Sequence, residues 1–144
     1  VDTGMQNTQF QDPDIRWKQR FNNLERAFAN LESALDLPNL DILQRAGMIQ
    51  FFNLTFELSW KTLKDLLEYQ GFSGFDSPRT VLKQAFAVSL IQKGEVWLDC
   101  LEKRNLSSHV YDEAIAQQVE NAIRSDYFPV IKALVEKLRA AASE

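Results

Sequence analysis

An all-α fold, an up-and-down bundle of four to five helices with a kinked last helix, is what three observations in this sequence predict. Apolar residues recur at steps of three and four from Trp17 to Leu138, the period of an amphipathic helix. Only five glycines and four prolines punctuate 144 residues, so long elements are joined by few loops. No stretch alternates apolar with polar residues as a half-buried strand does, and no internal repeat or low-complexity tract breaks the pattern. The length suits one domain over 14–139, with a polar, flexible N-terminal segment at 1–13 and a short tail at 140–144. Ten Phe, three Trp and three Tyr supply large groups for a single core.

In chain order, Trp17, Phe21, Leu24, Phe28, Leu31 and Leu35 alternate steps of four and three, a seam along one face of a first helix from Asp14. Leu37-Pro38 ends it, and Asn39 can cap the next. The second helix runs from about Leu40 to Gln70. Its main stripe is Ile42, Ala46, Ile49, Phe52, Phe56, Trp60, Leu63 and Leu67, with further apolar groups at Met48, Phe51, Leu54, Leu58 and Leu66. A helix apolar on more than one face is central to a bundle or lends a side to a subunit interface. Gly71 reads as the cap after it. Ser77-Pro78 opens a third helix through Leu90, ended near Gly94. A fourth starts near Glu95 and carries Arg104 and Asn105 on its last turns; 106–111 frays or bends, and Asp112 can cap the next helix. The fifth keeps its phase from Ile115 through Val119, Ile123, Tyr127, Ile131, Leu134 and Leu138 despite Pro129, as one kinked helix or two abutting segments.

A formal charge of −4 and a pI near 5.1 exclude a protein that holds nucleic acid by bulk electrostatics, though a local basic cleft is allowed. Cys100 has no partner for an intrachain disulfide, and with a single histidine there is no zinc constellation. The two-glycine loop 71–76 lacks P-loop spacing. No apolar run reaches membrane-spanning length and no signal-peptide order opens the chain, so a soluble, cytoplasmic protein is expected.

Chemistry concentrates in Glu102 to Asp112, which gathers Arg104, Asn105, Ser107, Ser108, His109 and Tyr111. Arginine grips phosphate with a planar fork, and histidine takes and gives protons near neutral pH. Together they suit RNA, where the 2′-hydroxyl is an internal nucleophile and no metal or other cofactor is required. The plainer readings are a histidine satisfied by a backbone carbonyl, an arginine answering a helix dipole, and a core tyrosine with its hydroxyl at the surface. Lys61, Lys64, Arg79, Lys83 and Lys103 are candidates for lining a basic cleft, each more often a solvated surface charge.

The spacing arginine, four residues, histidine, one residue, tyrosine, at Arg104, His109 and Tyr111, resembles the motif of HEPN-domain proteins of the HepT-like branch, also known as nucleotidyltransferase substrate-binding proteins. The likeness extends to Phe52-Asn53-Leu54-Thr55-Phe56-Glu57-Leu58-Ser59-Trp60-Lys61-Thr62-Leu63-Lys64, to Ser77-Pro78-Arg79 and to Trp97-Leu98 before Arg104-Asn105, and covers about Arg16 to Leu138. The resemblance implies a homodimer or higher homo-oligomer with two motifs around a shared cleft, and a toxin-antitoxin ribonuclease acting without metal. In it Arg104 would hold phosphate, His109 would be the acid/base, Asn105 would assist, and Tyr111 would accept AMP from a small MNT-type nucleotidyltransferase. Apart from the resemblance, the charges of Lys61, Lys64, Arg79 and Lys103 make them candidates for binding RNA or a nucleotide. The alternative is a non-catalytic substrate-binding subunit of a two-component nucleotidyltransferase. A helical scaffold without ligand is the third.

Overall fold

The computed structural model describes residues 12–144, and among them there are helices and no strands. The order is α1 (Pro13–Leu35), α2 (Ile42–Tyr69), α3 (Pro78–Ala87), α4 (Gly94–Lys103), a 3-10 helix (Arg104–His109), α5 (Glu113–Ala122), a π-turn (Ile123–Tyr127) and α6 (Phe128–Ala142). The all-α bundle expected from the sequence is thus what forms. Of the N-terminal segment expected to be flexible, 1–11 lie outside the described residues; Asp12 and Pro13 belong to the start of α1, where the Asp12 carboxylate accepts from the Asp14 amide and Pro13 needs no partner for a missing N–H. At the other end α6 runs to Ala142, so the expected tail is shorter.

The α1 seam works as read. Trp17, Phe21, Leu24, Phe28 and Leu31 are buried against α2, and Arg20 clamps the pair through Asp65 at 2.7 Å. Helix α2 starts two residues later than expected, because Asp41 rather than Asn39 is its cap: the Asp41 side chain takes the Gln44 amide and Gln44 returns a bond to Asp41. Ile42 and Ala46 therefore stay outside the core, whereas Ile49, Phe52, Phe56, Leu63 and Leu67 are in it. Thr55, Ser59 and Thr62 are buried without unmet hydroxyls, since each donates to the carbonyl four residues back. Gly71 closes α2 at φ 100°, as its sequence position suggested, and Phe72 N–H reaches back to Leu67.

Helix α3 is shorter than expected. It stops at Ala87 because Ser89 takes φ 65° and Leu90 N–H bonds to the Ala85 carbonyl, a cap geometry that glycine usually supplies. Gly94 does not end α3; it begins α4, and a Cβ there would lie 3.0 Å from the Phe86 ring. Arg104 and Asn105 are likewise not on the last turns of α4, which ends at Lys103; they open the 3-10 helix.

The last helix is continuous in direction of burial: Val119, Ile123, Tyr127, Ile131, Leu134 and Leu138 are all in the core. Its irregularity is a π-turn just before Pro129, with Phe128 N–H bonding five residues back to Ile123. Steps of four residues overshoot the 3.6 of an α-helix, and one wider turn absorbs the drift. Helix α6 is tied to α1 by stacked Phe28 and Phe128 and by Arg139 to Glu25 at 2.8 Å. No helix among the described residues is long and apolar enough to cross a membrane.

Candidate active site

The 3-10 helix owes its tightness to two serines. Ser107 Oγ donates to the Arg104 carbonyl at 2.7 Å and Ser108 Oγ to that of Asn105 at 2.8 Å, and Leu106 and Val110 pack against the core. Asp112 N–H then donates to the His109 carbonyl, and the Asp112 carboxylate caps α5 at the Ala114 and Ile115 amides. The backbone is thereby fixed at both ends while Arg104, Asn105, His109 and Tyr111 stay exposed. Tyr111 is 79% exposed, and its hydroxyl lies 3.4 Å from Nδ1 of His109 with the rings edge to face. That disposes of the core reading of Tyr111 and the backbone-carbonyl reading of His109.

Arg104 faces α2. One of its terminal nitrogens comes 3.9 Å from Glu57 Oε2, the oxygen that also accepts the Trp60 indole N–H at 3.1 Å, while Lys61 lies 3.6 Å from Glu57 Oε1. With five donors and one distant carboxylate, the guanidinium keeps most of its capacity for another anion. Arg104 and His109 are joined by no hydrogen bond to each other; the structure pairs His109 with Tyr111 and Arg104 with Glu57.

The supporting cations are scattered. Arg79 pairs with Glu102 at 3.2 Å, Lys61 with Glu57, and Lys103 with Asp99 at 3.3 Å; Lys64 and Lys83 make no ion pair among the described residues. Of these cations Lys103 alone shares a cleft with Arg104, a cavity of about 120 Å³ between α2, α4, the 3-10 helix and α5. Phe52 and Tyr127, their rings stacked on each other at 5.7 Å, line it together with Asn53 and Gln118. Larger openings at Leu90–Lys93 against Pro129–Lys137 and between α1 and Arg139 hold none of these residues.

Beneath the cleft Tyr127 donates to Asp99 at 2.6 Å. That bond, with help from Lys103, holds the Asp99 carboxyl below the usual carboxylate range, while burial and then the same bond push the Tyr127 hydroxyl up, so Tyr127 stays protonated. Burial pushes the Cys100 thiol up as well, so it lines the cleft as an apolar group and not as a nucleophile. Among the described residues no group of His, Cys, Asp and Glu converges in a way that could hold a metal ion. Sequence reasoning missed the part Glu57 plays opposite Arg104, and missed Asn53, Gln118 and Tyr127 in the cleft. Only Glu57 carried a local signal, its four-residue spacing to Lys61.

The helical bundle thus sets a loosely paired arginine and a histidine on one short 3-10 helix, with an exposed tyrosine on the turn that follows it. The family of proteins described as nucleotidyltransferase substrate binding protein like matches residues 19–140, and the chain belongs to that HepT-like family. Over 98 residues it is 32% identical to a Haemophilus influenzae protein called probable ribonuclease HepT, a match taking in 65% of this chain and 66% of that one, just under two thirds of the relative's length. A crystal structure of a Thermus thermophilus protein has the same fold with a TM-score of 0.68 and 29% identity, over 84% of this chain and 99% of that one.

Proposed function

We propose that this chain is a metal-independent endoribonuclease of the HepT type, acting as a homodimer and switched off when a small nucleotidyltransferase adenylylates Tyr111. The observation that carries the proposal is the placement of an unsaturated Arg104 and of the contacting His109–Tyr111 pair on one fixed 3-10 helix and the turn that ends it. The name of the Haemophilus influenzae relative, a probable ribonuclease, supports it. In the reaction the RNA 2′-oxygen attacks the adjacent phosphorus, the 5′-oxygen leaves, and a 2′,3′-cyclic phosphate remains. Arg104 stabilises the charge of the pentacoordinate phosphorus, His109 moves the proton between attacking and leaving oxygens, and the exposed Asn105 amide helps to orient the phosphate.

In the switch, the Tyr111 oxygen attacks the α-phosphorus of ATP and pyrophosphate leaves. The resulting phosphodiester puts a negative group where its parent hydroxyl now touches His109, blocking the proton carrier. Lys61, Lys64, Arg79 and Lys103 steer the strand, their exposed ion pairs being cheap to exchange. That three of these four already face carboxylates favours a second reading, a non-catalytic subunit that presents a nucleotide to the transferase.

The test is cleavage of single-stranded RNA in the presence of EDTA by the wild-type chain, Arg104→Ala and His109→Ala. Cleavage by the wild type and its loss in both variants is expected, and undiminished or absent cleavage across all three would sink the nuclease reading. For the switch, mass spectrometry after incubation with ATP and the nucleotidyltransferase is expected to place AMP on Tyr111, and an unmodified Tyr111 would remove it.

A further inference from the structure

The cleft beside Arg104 has a composition that phosphate binding alone does not explain. Its lining is largely apolar, with Cys100, Leu106, Val119 and Ala122 beside the buried Phe52 and Tyr127, and it also carries the carboxamides of Asn53 and Gln118. Neither carboxamide hydrogen-bonds to another group among the described residues, although each brings two donors and an acceptor to the same small space. The exposed Lys103 and Arg104 line it too, and of these Arg104 is the less committed. At about 120 Å³ the cavity is smaller than the usual pocket for a whole drug-sized ligand and suits one planar ring.

An apolar lining, free amides and cations in one small cleft are the three chemistries by which proteins hold an unstacked base with its phosphate. We propose that this cleft is a nucleobase subsite: one base enters against its apolar lining, its polar edge meets Asn53 and Gln118, and the phosphate attached to it lies on Arg104. The inference rests on the ribonuclease reading for the strand that supplies the base. It adds that cleavage is directed to one side of a recognised base, with Asn53 and Gln118 as the residues that determine which. A carboxamide pairs with adenine in two bonds at once, so adenine is the base expected.

The experiment is calorimetric titration of the full chain with adenosine 5′-monophosphate, uridine 5′-monophosphate and ribose 5-phosphate. Adenosine monophosphate is expected to bind roughly tenfold or more tighter than ribose 5-phosphate, the scale of one stacked base. Filling the cleft with Ala122→Phe is expected to erase that preference, and Asn53→Leu to erase the preference for adenosine over uridine monophosphate. Two variants are used so that one misfolded protein, recognised by its melting curve, leaves the other to decide. Equal affinity for ribose 5-phosphate and the nucleotides, or an unchanged preference in a folded Ala122→Phe, would overturn the subsite. A nucleotide preference in a protein that cleaves no RNA would retain the subsite and remove the nuclease. RNA cleavage with no base preference beside the cut would retain the nuclease and remove the subsite. An adenine oligoribonucleotide binding tighter than adenosine monophosphate marks a strand as the source of the base, and equal binding marks a free nucleotide; both support the subsite.

Discussion

Glu120 is buried and takes hydrogen bonds from Arg45 and Arg124, each at 2.8 Å, whereas the Glu57 side chain is 42% exposed and meets Lys61 at 3.6 Å and Arg104 at 3.9 Å. The two clusters use the same residue types, a glutamate between two cations. Around Glu120 each arginine also holds a backbone carbonyl, Arg45 that of Leu40 and Arg124 that of Leu35, so one carboxylate ties the α1–α2 connection to α5. Around Glu57, among the described residues, neither Lys61 nor Arg104 holds a carbonyl as well, and Arg104 keeps free nitrogens. Where the carboxylate is out of water, close pairing is required for the fold to stand; where it is half in water, loose pairing costs little and leaves Arg104 free to meet another anion. The comparison separates a lock from the candidate site.

Breaking the site should change activity and spare folding. His109→Ala is expected to lower RNA cleavage by about 10²- to 10⁴-fold, the usual scale for a lost acid/base, with no shift in melting temperature. Breaking the lock should do the reverse. Glu120→Gln is expected to cost about 3 kcal/mol in a urea titration, because two arginines lose the charge they converge on.

The pH dependence runs along the same line. Burial pushes the Glu120 carboxyl up, but the bonds from Arg45 and then Arg124 outweigh it and leave it below the ordinary glutamate value of 4.5. A folded-state value below the unfolded one stabilises the protein above about pH 4.5, and that share is lost as pH falls through the folded value. Unfolding midpoints measured from pH 7 to pH 3 are expected to drop in the wild type and to drop less in Glu120→Gln.

Smaller effects sharpen the contrast. Tyr127→Phe removes the hydroxyl that donates to Asp99 and is expected to cost about 1.5 kcal/mol by thermal unfolding, since hydrogen bonds to charged groups fall in that range. Glu57→Gln is expected to stay within about 1 kcal/mol of wild type in the same measurement, as exposed pairs do.

What was legible in the sequence was local. The α1 seam, the Gly71 cap, the Ser77-Pro78 start and the Asp112 cap depend on neighbours within a turn or two, and each stands where the pattern put it. The crowding of Arg104, Asn105, His109 and Tyr111 was equally visible, though their being raised on a 3-10 helix was not, because that turn is set by two serine hydroxyls bonding to carbonyls three residues back. The end of α3 was hidden because a serine takes the left-handed position that glycine normally marks. The π-turn left a trace in the four-residue steps from Val119 to Ile131, which an α-helix cannot sustain on one face. Arg45 with Glu120, 75 positions apart, and Asn53 with Gln118 across the cleft join residues that only tertiary packing brings together.

The contrast between lock and site is tested most directly by measuring RNA cleavage and the urea midpoint together on Arg104→Ala and Glu120→Gln. The expected result is a crossover: Arg104→Ala loses cleavage by about 10²-fold or more at an unchanged midpoint, and Glu120→Gln keeps cleavage below its melting temperature while its midpoint falls. Wild-type cleavage by Arg104→Ala, or a fall in its midpoint as large as that of Glu120→Gln, would contradict it.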